Sequence, residues 1–422
     1  MELMEHILWD DNVVKALEYM EKKKKDTAPG IDGMRVPELR EYLRANWSEI
    51  KTSLLNGTYE PQPVRRTEIP KDGGRVRLLG IPTVLDRFIQ QAMLQKLDWR
   101  FDEEFSASSH GFRKMHNQKM AVNEARDYIQ SGNHWVVDMD LSKFFDRVNH
   151  DILMSRVARK IKDKRVLKLI RRYLEAGVME NGVVVETHKG TPQGGVISPL
   201  LSNIMLNDLD QELERRGHKF VRYADDFQVF VKSKRAGQRV MRSLTRFLED
   251  ELRLKVNERK SAVDLAWKRT FLGFSFYKRK GEVRIRLAPK TLKKFKERIR
   301  KETSRKISIS LEKRIKNLNQ YLKGWIGYFH IADMKSHLNK MGSWIRRRLR
   351  MCVWKQWKNV STRIRNLKNL GLKKVEAIKF GNSRKGYWRL SKCYQMHNTL
   401  NNKYWSDNGL VNPVETYLEH RQ

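Results

Sequence analysis

The sequence predicts an α+β fold: short antiparallel strand pairs set among helices, followed by a mainly helical C-terminal part. Two observations predict it. Strand-like pairs recur at 64–80, 181–190, 220–231 and 271–286, and helical stretches separate them. Beyond Pro289, Leu318, Leu322, Trp325 or Ile326, and Phe329 recur at helical spacing, a stripe suited to a core. At 422 residues and 40% hydrophobic content the chain is long enough for two or more domains, each with its own core.

The elements follow in order. Residues 1–56 read as amphipathic helix, with a lysine run at 22–25 on a solvated face, until "APGIDG" (28–33) breaks the pattern. Residues 64–80 read as two strands around "PKDGGR", and helix resumes from Ile81. "HWVVDMDLSKFFD" (134–146) begins as a strand and turns helical after Leu141, and "NGVVVETHKG" (181–190) reads as a short hairpin. "SPLLSNIMLNDLDQELERR" reads as a helix with Ser198 as N-cap, Pro199 at the first helical position, and Leu200, Ile204 and Leu209 on one face. No internal repeat is evident.

Charge narrows the function. Lys and Arg number 87 against 49 Asp and Glu, a net +38 that calls for a polyanionic partner, nucleic acid first. From Pro289 onward 33 basic residues face 8 acidic ones, so this last third carries +25 and the rest +13, which places a functional boundary near 287–290. The same part holds Trp325, Trp344, Trp354, Trp357, Trp388 and Trp405, either as core or as faces for bases. No long uncharged apolar run is present, so a membrane-spanning protein is not expected. Two cysteines, Cys352 and Cys393, are too few for a disulfide framework or zinc knuckle, and the acidic N-terminus fits neither secretory nor transit peptides. A cytoplasmic protein is expected.

"VRYADDFQVF" (221–230) sets Asp225 beside Asp226 inside a hairpin pattern. Strand alternation in "WVVDMD" puts Asp138 and Asp140 on one face and Val137 and Met139 on the other. Singly, each carboxylate fits a cap or a turn. Together, hard oxygen ligands on neighbouring strands suit Mg²⁺, and two such ions roughly 3.5–4 Å apart catalyse phosphoryl transfer in polymerases. The repulsion within the acidic pair is then relieved by metal.

Seven ordered stretches carry a resemblance: "RRTEIPKDGGRVRLLGIPTVLDRFIQQAM" (65–93), "SSHGFRKMHNQKMAV" (108–122), "VVDMDLSKFFDRVNHD" (136–151), "KGTPQGGVISPLLSNIMLNDLD" (189–210), "VRYADDFQVF", "LKVNERKSAV" (254–263) and "TFLGFSFY" (270–277). In this order they resemble the reverse transcriptases encoded by bacterial group II introns. The resemblance implies a right-hand polymerase: fingers and palm with an antiparallel sheet over 1–288, including an N-terminal extension 1–56, a helical thumb over 289–350, and a basic nucleic-acid-binding domain over 351–422.

It also implies roles. Asp140, Asp225 and Asp226 would be the catalytic ligands of two Mg²⁺ ions, with Mn²⁺ as a substitute, and Asp138 is passed over because the family's aspartate precedes an aromatic by five residues. That aromatic, Phe145, would bar a ribose 2′-OH. Lys71 and Arg77 would clamp the triphosphate, Arg113 and Gln193 would line the nucleotide pocket, and Lys260 would serve the pyrophosphate as general acid. "WIRRRLRMCVWKQWK" (344–358) interleaves Arg346, Arg347, Arg348, Arg350, Lys355 and Lys358 with tryptophans and would contact RNA. The implied partners are group II intron RNA, an RNA template with a DNA or RNA primer, target DNA and deoxynucleoside triphosphates. No Cys-rich, His-containing C-terminal endonuclease extension follows, so second-strand cleavage is not expected. A reverse transcriptase freed from its intron, serving defence or repair, and a splicing cofactor with little polymerase activity stand as alternatives.

Overall fold

A computed structural model of the chain describes residues 2–23, 26–70, 76–180, 183–185, 189–190 and 194–421. The chain divides into two compact units, Met1–Ala266 and Trp267–Gln422. The expected functional boundary near 287–290 falls inside the second unit, because the hairpin at 274–287 groups with the helices that follow it.

The first unit opens with helices Leu3–Ile7, Asp10–Lys23 and Leu39–Leu55, matching the amphipathic pattern. Their apolar residues, among them Met4, Ile7, Ala16, Met20, Leu39 and Leu54, enter one core with Phe88, Ala92 and Met93 of helix Val84–Asp102. Two polar devices pin this arrangement. The Asp163 carboxylate caps helix Lys164–Glu175 by accepting from the Arg165 amide at 2.9 Å, and it also accepts from the Met4 amide at 2.8 Å, tying the first helix down. Asp86, buried at the start of its helix, accepts from the hydroxyls of Thr83 (2.7 Å) and Tyr59 (2.9 Å) and from the Gln62 amide (3.1 Å).

Two four-stranded sheets follow. The first has the order β2-β1-β4-β5, with β1 Val64–Pro70, β2 Val76–Ile81, β4 Val178–Glu180 and β5 Val183–Val185; β1 and β4 run parallel and the other pairs antiparallel. The hairpin expected at 64–80 is present, although its turn at 71–75 lies outside the described residues, whereas the one expected at 181–190 is shifted toward the N-terminus: Val178–Glu180 pairs with Val183–Val185, and 181–182 and 186–188 lie outside the described residues. The second sheet, β6-β7-β3-β8, is wholly antiparallel: β3 Trp135–Met139, β6 Lys219–Tyr223, β7 Asp226–Val231 and β8 Ala262–Leu265. In it Val137 sits between Val229 and Val263, a row of β-branched side chains across three strands. Gly237 of helix Lys234–Arg246 lies over the same row, and a Cβ there would come within 2.5 Å of Val263.

Helix Ser198–Arg215 buries Leu200, Ile204 and Leu209 as expected. Its N-cap is Ile197 rather than Ser198, and Pro199 is its second residue. The Gln90 side chain compensates for the missing cap, since its oxygen accepts from the Val196 amide at 2.8 Å.

The second unit begins with a hairpin of β9 Phe274–Arg279 and β10 Glu282–Leu287. Lys280 and Gly281 both take positive φ, 51° and 85°, in the two-residue turn that strand twist favours. Helices Pro289–Glu302, Leu311–Phe329 and Lys335–Gln356 and several shorter ones complete it. Phe295, Leu318, Leu322, Ile345, Trp354 and Trp405 form its core, so the stripe read from the sequence is core, with Ile326 rather than Trp325 fully buried. Among the described residues no helix is long and apolar enough to cross a membrane.

Candidate active site

Strand β3 delivers its carboxylates to the end of the second sheet. Its pairing with β7 runs to Met139 opposite Phe227, and Asp140 follows directly at the strand's end, beside the start of β7 at Asp226. The chain then crosses to the segment before β8: Leu141 bridges Val256, the Asn257 amide donates to the Asp140 carbonyl (2.8 Å), and the Asp140 amide donates to Ser261 Oγ (3.1 Å). The Asp140 carboxylate accepts from Asn257 Nδ2 at 3.0 Å and from the Lys260 ammonium at 2.9 and 3.1 Å. Lys260, expected near the leaving group, thus stands on the first aspartate.

The "YADD" hairpin closes with Tyr223 opposite Asp226, leaving Ala224 and Asp225 at its tip, and Ala224 takes a left-handed φ of 58°. For a residue bearing Cβ this conformation is costly and needs external support. Arg222, fully buried, supplies it. Its guanidinium donates to the equally buried Asp210 carboxylate, to Asn203 Oδ1 (2.9 Å) and to the Ala224 carbonyl (3.0 Å). Beneath the tip runs the segment 108–111: the Arg222 amide donates to the Ser108 carbonyl at 2.9 Å, and His110 N returns a bond to the Arg222 carbonyl at 2.8 Å. Asn203 Nδ2 donates to the Gly111 carbonyl at 2.8 Å. A Cβ on Gly111 would lie 2.1 Å from the Ala224 amide nitrogen, so only glycine fits there.

Four carboxylates meet at this end of the sheet. The Asp226 carboxyl is pushed up to about 7 by the protein crowded around it and by Asp138, Asp225 and Asp140, with Lys260 opposing. Asp226 nonetheless keeps contact with solvent, which limits the desolvation behind that rise. Asp138, passed over in the sequence, belongs to the cluster electrostatically. The donor set is all carboxylate oxygen, its ligands repel one another, and a cation already sits on Asp140. These features fit hard divalent cations held by Asp140, Asp225 and Asp226. The tightest trio of carboxylates among the described residues lies elsewhere: Glu2, Glu5 and Asp163 come within 4.8 Å of one another, and Arg165 neutralises them.

Phe145 follows a left-handed residue, Lys143 (φ 50°), which turns the chain so that Phe144 enters the core and Phe145 stays half-buried, edge-on to it at 5.2 Å. Lys71 and Gln193 lie outside the described residues. The Arg77 backbone pairs with Ile69 in the β1–β2 hairpin. Gly194 takes φ 133°, and a Cβ there would meet the Gly80 carbonyl at 2.4 Å, so Gly194 itself lies close against β2.

Arg113, expected to line the nucleotide pocket, is held by its own loop. Its guanidinium donates to the Asp102 carboxylate (2.6 Å) and to the carbonyls of Asp102, Ser106 and Ser109, all within its own loop. These four bonds brace the 102–113 turn.

The C-terminal set divides. Arg350 is buried, donates to the Leu400 carbonyl at 3.0 Å and contacts His397, and Trp354 lies in the core against Phe380, so neither is presented to RNA as expected. Arg347 stacks on Trp388 at 3.8 Å, and Arg348 braces Thr303 while lying over Trp344 at 5.4 Å. Arg346 is half-buried beside Ser343, whereas Lys355 and Lys358 are exposed.

Sequence reasoning missed Arg222, Asp210, Asn203, Gly111 and Asn257. All lie within the quoted motifs, yet their roles depend on long-range neighbours that spacing does not reveal.

Residues 69–276 match the family described as reverse transcriptase (RNA-dependent DNA polymerase), and residues 292–371 match the group II intron maturase-specific domain. Protein YkfC of Escherichia coli (strain K12) is 35% identical over 273 residues, covering 56% of this chain and 72% of its own length. The group II intron-encoded protein LtrA of Lactococcus lactis subsp. cremoris is 30% identical over 303 residues, with 56% of this chain and 49% of LtrA covered, so the chain spans about half of that relative. Among solved structures, a chain of a partial Cas6-RT-Cas1–Cas2 complex is 24% identical with a TM-score of 0.38, over 60% of this chain and 43% of that one. A telomerase from Candida tropicalis is 13% identical with a TM-score of 0.42, over 57% and 60%.

Proposed function

Because the chain belongs to the reverse transcriptases and maturases encoded by group II introns, we propose that it extends a primer 3′-OH on an RNA template and binds its intron RNA to assist splicing and mobility. As an RNA-directed DNA polymerase it joins the 3′-oxygen to the α-phosphorus of a deoxynucleoside triphosphate, breaks the bond to pyrophosphate, and gives up the hydroxyl proton. The observation that carries this reading is the gathering of Asp140, Asp225 and Asp226 at one sheet end, with Asp226 driven toward neutrality by its neighbours.

Reverse transcriptase domains use divalent ions. Here Asp140, Asp225 and Asp226 would hold two Mg²⁺, or Mn²⁺, which supply activation of the 3′-OH and neutralisation of the departing pyrophosphate. The chain's own residues do the rest. Arg222 and Gly111 fix the tip that presents Asp225. Asn257 orients Asp140, and Lys260, which bonds the same carboxylate, would serve the pyrophosphate as general acid. Phe145 faces the sugar, while Lys71, Arg77 and Gln193 hold the triphosphate and base. In this reading the first unit supplies fingers and palm, and the second supplies thumb and maturase regions, with cytoplasmic RNA and target DNA as partners.

Primer extension on an RNA template by the purified protein tests it. Asp225→Asn should lose extension at least a thousandfold while RNA affinity stays within twofold, since metal chemistry and phosphate grip use different residues. Extension by the variant at a tenth of the parent rate would remove the two-metal assignment.

A further inference from the structure

The second unit carries a groove of ≈ 460 Å³ that the polymerase chemistry does not use. It lies where the end of helix Pro289–Glu302 and the 304–306 turn meet helix Lys335–Gln356 and the short helix Tyr387–Leu390. Arg300, Arg305, Lys306 and Arg348 line it together with Trp344 and Trp388, and no carboxylate does. Four cations converging without an acidic partner on the wall make a site for an anion, since their repulsion is relieved only by negative charge from outside.

The rings restrict what that anion is. Trp344 lies under two guanidinium groups, Arg300 at 5.7 Å and Arg348 at 5.4 Å, and Trp388 is covered on one side by Arg347 at 3.8 Å. Trp388 nonetheless remains 39% exposed, a high value for a ring that size. Arg347 also donates to the Trp388 carbonyl at 3.2 Å, which anchors its guanidinium beside the ring. Beside it, Arg305 lies over Tyr387 at 5.1 Å and Lys355 at 5.5 Å. Flat, pre-oriented faces interleaved with cations are what an unpaired nucleotide recognises: its phosphates meet the guanidinium and ammonium groups, and its base stacks on an indole or guanidinium plane. A duplex offers the phosphates but keeps its base faces stacked inside, and a free phosphate leaves the rings without a role.

We infer that this groove binds an unpaired nucleotide within an RNA strand, with Arg300, Arg305, Lys306 and Arg348 on the phosphates and Trp388 or Trp344 against the base. The inference rests on the RNA-binding part of the proposed function and gives it an address. It also moves the RNA contact from the linear run 346–358 to a site assembled from three separate segments.

The test uses the full chain and a single-stranded RNA 20-mer carrying 4-thiouridine. Photocrosslinking followed by peptide mapping should place adducts on Trp388, Tyr387 or Trp344; adducts confined to residues 1–266 overturn the inference. Trp388→Leu keeps every groove cation and should weaken single-strand binding at least fivefold, by loss of stacking, while duplex binding of the same length changes less than twofold. Equal loss for both, or for neither, removes the base-stacking role. Arg305 and Lys306 are exposed, so Arg305→Gln/Lys306→Gln threatens the fold little, and circular dichroism checks it. That variant should lower the slope of log K against log salt by about 1.4, at roughly 0.7 per lost single-strand phosphate contact. An unchanged slope overturns the phosphate assignment. Because binding is read without polymerisation, a chain that extends primers but fails these tests loses only the groove. One that passes them but cannot extend loses only the polymerase reading.

Discussion

The Arg222 guanidinium and the Asp210 carboxylate, neither with any exposed surface, pair at 2.8 and 2.5 Å, and the same guanidinium reaches the Ala224 carbonyl at 3.0 Å. One buried ion pair therefore sets the hairpin tip that carries Asp225 and Asp226, the proposed metal ligands. Removing a single partner, as in Asp210→Asn, leaves a buried charge uncompensated and should cost about 3–5 kcal/mol of stability. The double variant Arg222→Met/Asp210→Leu removes both charges and should recover most of that in thermal melting. Extension by the double variant should still fall at least tenfold, because the Ala224 carbonyl and its left-handed residue lose their donor. A double variant that regains both stability and activity would reduce the pair to a core feature.

Asp226 gives a pH dependence whose sign follows from its raised folded-state pKa. A carboxyl at about 7 in the folded chain and at an ordinary 3.8 when unfolded binds its proton more tightly when folded. Its contribution to stability is complete below about pH 4 and lost as pH rises through about 7. In chelator, Asp226→Asn should therefore melt higher than the parent at pH 8 and equal to it near pH 4. Since the side chain contacts solvent, the gain is on the order of 1 kcal/mol, or about 2 °C. Equal melting temperatures at pH 8 would mean that the carboxylates do not strain one another.

Much of this site was legible in the sequence, and the boundary of legibility has a physical cause. Alternation along "WVVDMD" and the hairpin pattern around "YADD" are local, so strand faces and the acidic tip follow from spacing alone. The bracing contacts of Arg113 were not legible, because what a basic residue touches depends on what folding brings within reach, here the Asp102, Ser106 and Ser109 carbonyls of its own turn. Arg350 and Trp354 share the run with Arg347 and Lys355, but helical periodicity carries the first pair inward. The groove was not legible at all, since Arg305, Trp344 and Trp388 become neighbours only through folding.

Phe145 separates two roles by a ratio. It is half-buried beside a fully buried Phe144, so Phe145→Val should cost little stability. As a barrier to the ribose 2′-OH, its loss should raise ribonucleotide relative to deoxynucleotide incorporation at least tenfold, measured as the ratio of kcat/KM values. A constant ratio with a lowered melting temperature would make it packing only.

Lys260 sits on the Asp140 carboxylate at 2.9 Å, with Asn257 on the same oxygen pair at 3.0 Å. An ammonium there holds a position that a divalent cation must take, so the two compete. Both side chains of the pair are well exposed, 54% and 37%, which makes the competition modest. An ion pair of this kind contributes up to about 1 kcal/mol, so Lys260→Met should tighten metal binding two- to fivefold. Mn²⁺ affinity followed by electron paramagnetic resonance reads this without turnover. In the proposed general-acid role of Lys260 the same variant should slow extension, and the two effects then have opposite signs: tighter metal, slower chemistry. Asn257→Ala frees a carboxylate oxygen but removes its orienting bond, so it should weaken extension without tightening Mn²⁺ to the same degree. Unchanged Mn²⁺ affinity in Lys260→Met would show that the lysine leaves Asp140 at no cost and that its contact in the metal-free chain has no bearing on loading.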